Sequence, residues 1–66
     1  MTGEELNFYR RRRRYTQKRL GLLLGYEEKS AERVIALWEH DKQPIPLKHF
    51  RKLSELLDVP LDKFIP

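Results

Sequence analysis

In the segment Tyr15-Thr16-Gln17-Lys18-Arg19-Leu20-Gly21-Leu22-Leu23-Leu24-Gly25, a hydroxyl residue is followed by two leucines four apart, Leu20 and Leu24, and a glycine closes the run. Thr16 can accept from the backbone amides ahead of it, which is the chemistry of a helix start. Leu20 and Leu24 share one helical face, and Gly25 supplies the C-terminal stop, so the pattern predicts a helix over residues 17–24. Gly21 lies inside that helix, where it costs about 1 kcal/mol relative to alanine. A residue without Cβ lets a second backbone come close, so Gly21 marks a close helix crossing.

Upstream, residues 4–14 are good helix formers without Pro or Gly, and Leu6 and Tyr9 give them one apolar face. Downstream, polar residues 26–29 read as a connection. Ser30 is then expected to cap a third helix, ending near His40, with Ala31, Val34 or Ile35, and Trp38 inside. Residues 41–46 form a rigid loop, since Pro44 holds the chain extended and Pro46 suits the first turn of a new helix. Leu47, Phe50, Leu53 and Leu57 have the spacing of a fourth amphipathic helix, stopped by residues 58–60, and a last turn follows over 61–65. The expected fold is all-α, a compact bundle of four to five short helices forming a single domain over residues 1–66.

A chain of 66 residues has room for one core and for no deep substrate cleft. The absence of cysteine excludes disulfides and thiolate metal sites. The longest apolar run, residues 22–24, is too short for a secretory signal or a membrane span, so a cytoplasmic protein with no membrane partner is expected. Charge is placed unevenly: residues 1–33 hold nine Lys/Arg against five Asp/Glu, and residues 34–66 hold five of each. A one-sided basic surface attracts polyanions, of which nucleic acid is the usual one.

The stretch 15–21, then Leu24-Gly25, then Ile35-Ala36-Leu37-Trp38-Glu39, then Lys42, and finally Leu56-Leu57-Asp58-Val59-Pro60-Leu61-Asp62 resembles the Cro and phage-repressor (xenobiotic-response-element type) helix-turn-helix family. The likeness covers nearly the whole chain. It departs in one place: Gly25 to Trp38 is about four residues longer than the family's common form, which sets extra sequence at residues 26–30. The resemblance implies a lambda-repressor-like domain that binds double-stranded DNA as a homodimer and regulates transcription, with a repressor expected. The third helix, about residues 30–40, would enter the major groove. Counted back from Trp38, its base-reading positions would be Ala31, Glu32, Arg33 and Leu37. Arg33 is the one suited to a bidentate guanine contact, and Glu32 could accept from a cytosine amino group or position Arg33. The resemblance implies phosphate contacts from Gln17, Lys42 and Gln43, while Arg13 and Arg14, at the end of the first helix, are expected to reach phosphate from their place in the run, together with Thr16, Lys29 and Ser30. It also pairs Arg10 with Glu39 as an architectural ion pair that turns the arginine partly toward the DNA backbone.

Each of these residues has a plainer reading. Glu32 and Arg33 could be the solvated face of an amphipathic helix, Gln17 a surface helix former and Lys42 a loop lysine. Five consecutive helical arginines sweep about 500 degrees, so the run at residues 10–14 cannot all face one duplex. Trp38, Phe50, Leu53 and Leu57 read as core, while Leu22 and Leu23 fall off the inner stripe and need either a cover or a dimer partner. His40 and His49 lack metal-ligand spacing and read as surface residues. No nucleophile-and-base grouping or phosphate-cradling motif occurs, so no enzyme, cofactor or small-molecule substrate is expected. Two rivals remain: a protein-interaction module on the same fold, and nonspecific nucleic-acid or anionic-membrane binding through the arginine run.

Overall fold

The computed structural model describes residues 1–65, in which four helices end on a common turn and the first two begin at side-chain caps. Helix α1 spans Gly3–Arg12. The Thr2 hydroxyl accepts from the Glu5 amide at 3.1 Å, and the Glu5 carboxylate accepts from the Thr2 amide at 2.8 Å. Such a reciprocal cap is worth about 1 kcal/mol, and the bond from the Thr2 amide holds the Glu5 carboxyl below its ordinary range. Helix α2 spans Gln17–Leu23 and is capped by the Thr16 hydroxyl, which accepts from the Arg19 amide at 2.9 Å. Helix α3 spans Glu28–Glu39. A 3-10 turn over Leu47–His49 leads into α4, Phe50–Leu57, and a second 3-10 turn covers Leu61–Lys63.

All four helices close through a residue in the left-handed region: Arg14 (φ 62°), Gly25 (99°), Asp41 (56°) and Asp58 (56°). At each end two amides turn back onto the last carbonyls. Tyr15 donates to Arg10 and Arg14 to Arg11, and Tyr26 donates to Gly21 and Gly25 to Leu22. Likewise Lys42 donates to Leu37 and Asp41 to Trp38, and Val59 donates to Ser54 and Asp58 to Glu55. This pairing satisfies carbonyls that a helix end otherwise leaves open. It also explains why the helix expected over residues 4–14 stops at Arg12: the chain reverses at Arg14, which splits the arginine run between a helix and its exit.

The third helix starts earlier than the sequence pattern indicates. The connection between α2 and α3 is residues 24–27, with Glu27 at the cap position, so residues 28–30, expected ahead of the helix, form its first turn. Ser30 is not a cap. It lies in the first turn, its amide donating to the Glu27 carbonyl at 2.9 Å. The start is set by Tyr26, whose ring packs edge-on against Trp38 at 6.0 Å and whose hydroxyl meets His49 Nε2 at 2.8 Å. His49 is therefore buried and not a surface residue, whereas His40 is exposed. Burial, with Lys48 adding to it, pushes the His49 imidazole below its ordinary pKa.

The core is Leu6, Leu20, Ile35, Trp38, Leu53, Leu57, Val59 and Phe64, drawn from all four helices and the C-terminal turn. Ile35, and not Val34, takes the fully buried place on α3. Leu47 does not join α4's inner stripe and is 76% exposed. It sits in a 3-10 turn, whose three-residue period breaks the α-helical count, and His49 points inward in its stead. Gly21 is the crossing point of α2 and α3: a Cβ there would lie 2.4 Å from the Ala31 carbonyl oxygen. Gly3 meets the far end of α3 in the same way, since a Cβ there would collide with the Glu39 backbone carbonyl, and its amide donates to the Asp41 carboxylate at 3.0 Å.

Candidate nucleic-acid interface

Helix α3 carries two faces. Ala31, Ile35 and Trp38 point into the core. On the opposite side Lys29, Arg33, Ala36 and His40 follow at intervals of four, three and four residues, forming one stripe along the helix. Lys29, Arg33 and His40 are exposed and Ala36 is half-buried. Ala31 is fully buried beneath Gly21, so it cannot meet a base edge. Ala31 stands seven residues, two helical turns, before Trp38 and shares its inward face, and the Gly21 crossing fixes it there. Glu32 is exposed beside the stripe, and Leu37 is half-buried at its flank. Lys29 lies within the first turn of α3, one turn from Arg33, and not ahead of the helix.

A buried polar cluster joins α1, α2 and the end of α3. Arg10 binds Glu39 through Nε and through Nη2, the latter at 3.2 Å, and its Nη1 donates to the Tyr15 carbonyl at 2.7 Å. Glu39 Oε1 also accepts from Asn7 Nδ2 at 2.9 Å and from Gln17 Nε2 at 3.0 Å. Burial alone would raise the Glu39 pKa, but hydrogen bonds from Arg10, Asn7 and Gln17, with the arginine's charge, outweigh it and hold the carboxyl below its ordinary range. Every nitrogen of the Arg10 guanidinium is engaged inside the protein, so its role is architectural. Asn7 is the member that sequence reading missed. Its signal is positional, since it stands three residues before Arg10 on one face of α1.

The Gln17 bond to Glu39 sets the start of α2 beside the end of α3, where Lys42 and Gln43 follow in an exposed loop. Gln17 keeps a second amide hydrogen, and the Thr16 hydroxyl keeps its own hydrogen after accepting from Arg19. Arg13 and Arg14 are exposed on the turn that leads to Thr16. The arginines of the run thus divide by task. Arg12 donates to the Leu57 and Asp58 carbonyls at 3.2 and 3.3 Å and lies 4.9 Å over the Tyr9 ring, tying α1 to the end of α4. On the side of α2, Lys18 pairs with Glu28 at 2.8 Å, and both are exposed. Leu22 is 37% exposed and Leu23 half-buried.

Four helices in which α2 and α3 are joined by a tight left-handed turn define a helix-turn-helix fold. No protein-family model and no curated protein matches the chain. The fold is similar to the crystal structure of the transcriptional regulator BswR, with a TM-score of 0.89 and 30% sequence identity over the whole of this chain. This chain spans 65% of the length of that one. No helix among the described residues is long and apolar enough to cross a membrane.

Proposed function

We propose that this chain binds double-stranded DNA sequence-specifically and acts in the cytoplasm as a transcriptional repressor. The carrying observation is the outward stripe of α3, which presents Lys29 and Arg33 one turn apart on a helix whose other face is locked to α2 by the Gly21 crossing. Lys29 joins Glu32 and Arg33 as a base reader in this proposal, and Ala31 drops out. Leu37 flanks the groove. Arg13, Arg14, Thr16, Gln17, Lys42 and Gln43 contact phosphates, and Ser30 supports the first turn. Similarity to a transcriptional regulator supports the reading. One domain reads one half-site, so a homodimer would read two, about one helical turn apart.

Selection of duplex DNA from a random pool tests this, followed by fluorescence anisotropy of the enriched and a scrambled duplex at two salt concentrations. The expected result is an enriched, two-fold symmetric motif bound at least about 1000-fold more tightly than the scramble. Equal binding of both duplexes, abolished by salt, would reduce the site to an electrostatic anchor.

A further inference from the structure

The surface of α3 beside its cationic stripe is acidic. Glu28 and Glu32 lie one turn apart on one line of the helix, and Lys29 and Arg33 lie one turn apart on the next, about 100° round. The two carboxylates are not equivalent. Glu28 is held by Lys18 at 2.8 Å, while Glu32 is exposed and makes no ion pair among the described residues. An exposed, unpaired carboxylate next to the residues offered to a polyanion weakens binding unless something on the duplex accepts it. In the major groove two groups can do so, the amino groups of cytosine and adenine, whereas the keto oxygens of guanine and thymine oppose a carboxylate. Glu32 directly precedes Arg33, and a G·C pair presents guanine O6 and N7 as acceptors beside the cytosine amino donor.

We propose that Glu32 is a specificity filter: it accepts from a cytosine amino group where Arg33 donates to guanine, and repels duplexes with a keto oxygen at that position. This rests on the DNA-binding reading above. Its signature differs from that of an ordinary contact, because removing the carboxylate relaxes selection and tightens binding to the wrong sequences. Glu28, already neutralised by Lys18, has no such role.

The test is duplex selection with the wild type, Glu32→Gln and Glu28→Gln, followed by anisotropy on the wild-type winner and on a duplex in which only that cytosine is replaced by thymine, the guanine opposite being kept so that the Arg33 contact is retained and a keto oxygen stands at the cytosine position. Because Glu32 is exposed, its substitution leaves the core untouched. For Glu32→Gln the expected result is a weakened cytosine preference in the selection, with binding to the thymine-substituted duplex tightened about tenfold and binding to the winner changed less than about threefold. Glu28→Gln is expected to keep the wild-type base preference. A selective wild type whose Glu32→Gln variant prefers the winner over the thymine-substituted duplex by the same factor, or binds all duplexes equally more weakly, overturns the filter alone. A wild type that binds every duplex alike overturns both the filter and the DNA-binding reading.

Discussion

Replacing Gly21 by alanine sets two effects of opposite sign against each other. Alanine is the better helix former by about 1 kcal/mol, so on α2 alone the substitution stabilises. Against α3 it collides: the new methyl would lie 2.4 Å from the Ala31 carbonyl oxygen and 2.7 Å from its carbonyl carbon and Cα. Those are backbone atoms within a helix and cannot swing aside. Restoring an ordinary contact of 3.4 Å requires the helices to part by about 1 Å (3.4 − 2.4), which opens the packing around Leu20 and Ile35. Overpacking of this kind costs about 1 to 3 kcal/mol, and rigid neighbours put it near the upper figure. The net loss is then about 2 kcal/mol, and at about 4 to 8 °C per kcal/mol for a domain of this size the melting temperature falls by about 8 to 16 °C. Thermal melting followed by far-UV circular dichroism reads this directly. Gly25→Ala is the comparison, because nothing lies within 4 Å of its Cβ and only its φ of 99° is costly. A Gly21→Ala variant that melts at or above the wild type would refute the close-crossing account.

Other expectations concern charge and backbone. Glu39→Gln leaves Arg10 buried without its counter-ion and should cost about 3 kcal/mol in urea denaturation, whereas a loss below about 1 kcal/mol would mean the pair behaves as an exposed one. The neutral form of His49 is favoured by folding, so the unfolded chain takes up the proton first and stability should fall as pH drops below the ordinary histidine value of 6.5, levelling once the folded imidazole protonates. Glu39 acts with the same sign in a lower window, beginning near 4.5, and His49→Gln should remove only the upper phase of a plot of urea midpoint against pH. Arg14→Gly relieves a side chain held at φ 62° and should raise stability by about 0.5 to 1 kcal/mol, while lowering the salt slope of duplex binding by about one. Arg33→Ala should weaken specific binding by about 1 to 3 kcal/mol and relax one base position, and unchanged selectivity across duplex variants would remove it from the base-reading set.

What the sequence made legible was local. Thr16, the Leu20/Leu24 pair and Gly25 define α2 within a few residues of one another, and Gly21 announces its crossing by being a poor helix former in a helix. The start of α3 was misread because Ser30 is the stronger capping residue, yet Tyr26 is pinned by Trp38 and His49, and the helix begins where that anchor leaves it. No neighbouring residue signals that Arg14 will turn left-handed. The convergence of Asn7, Arg10 and Gln17 on Glu39 joins residues 22 to 32 positions apart, a distance no spacing rule spans. On α3, the exposure of Glu32 and Arg33 follows from the apolar pattern, and that same pattern puts Ala31, two turns before Trp38, on the buried face and not among residues free to read a base.

The double duty of α3 restricts how its length can vary. Ala31, Ile35 and Trp38 must stay in the core while Lys29 and Arg33 stay outside, so the two halves of the helix are phase-locked. One residue inserted after Arg33 would rotate everything before it by about 100° relative to Trp38, swinging a lysine or arginine toward apolar packing, whereas four residues return the helix to within about 40°. Growth and shrinkage of this helix are therefore quantised in whole turns. Four inserted residues would lengthen the helix by about 6 Å and leave the outer stripe on nearly the same side of the domain.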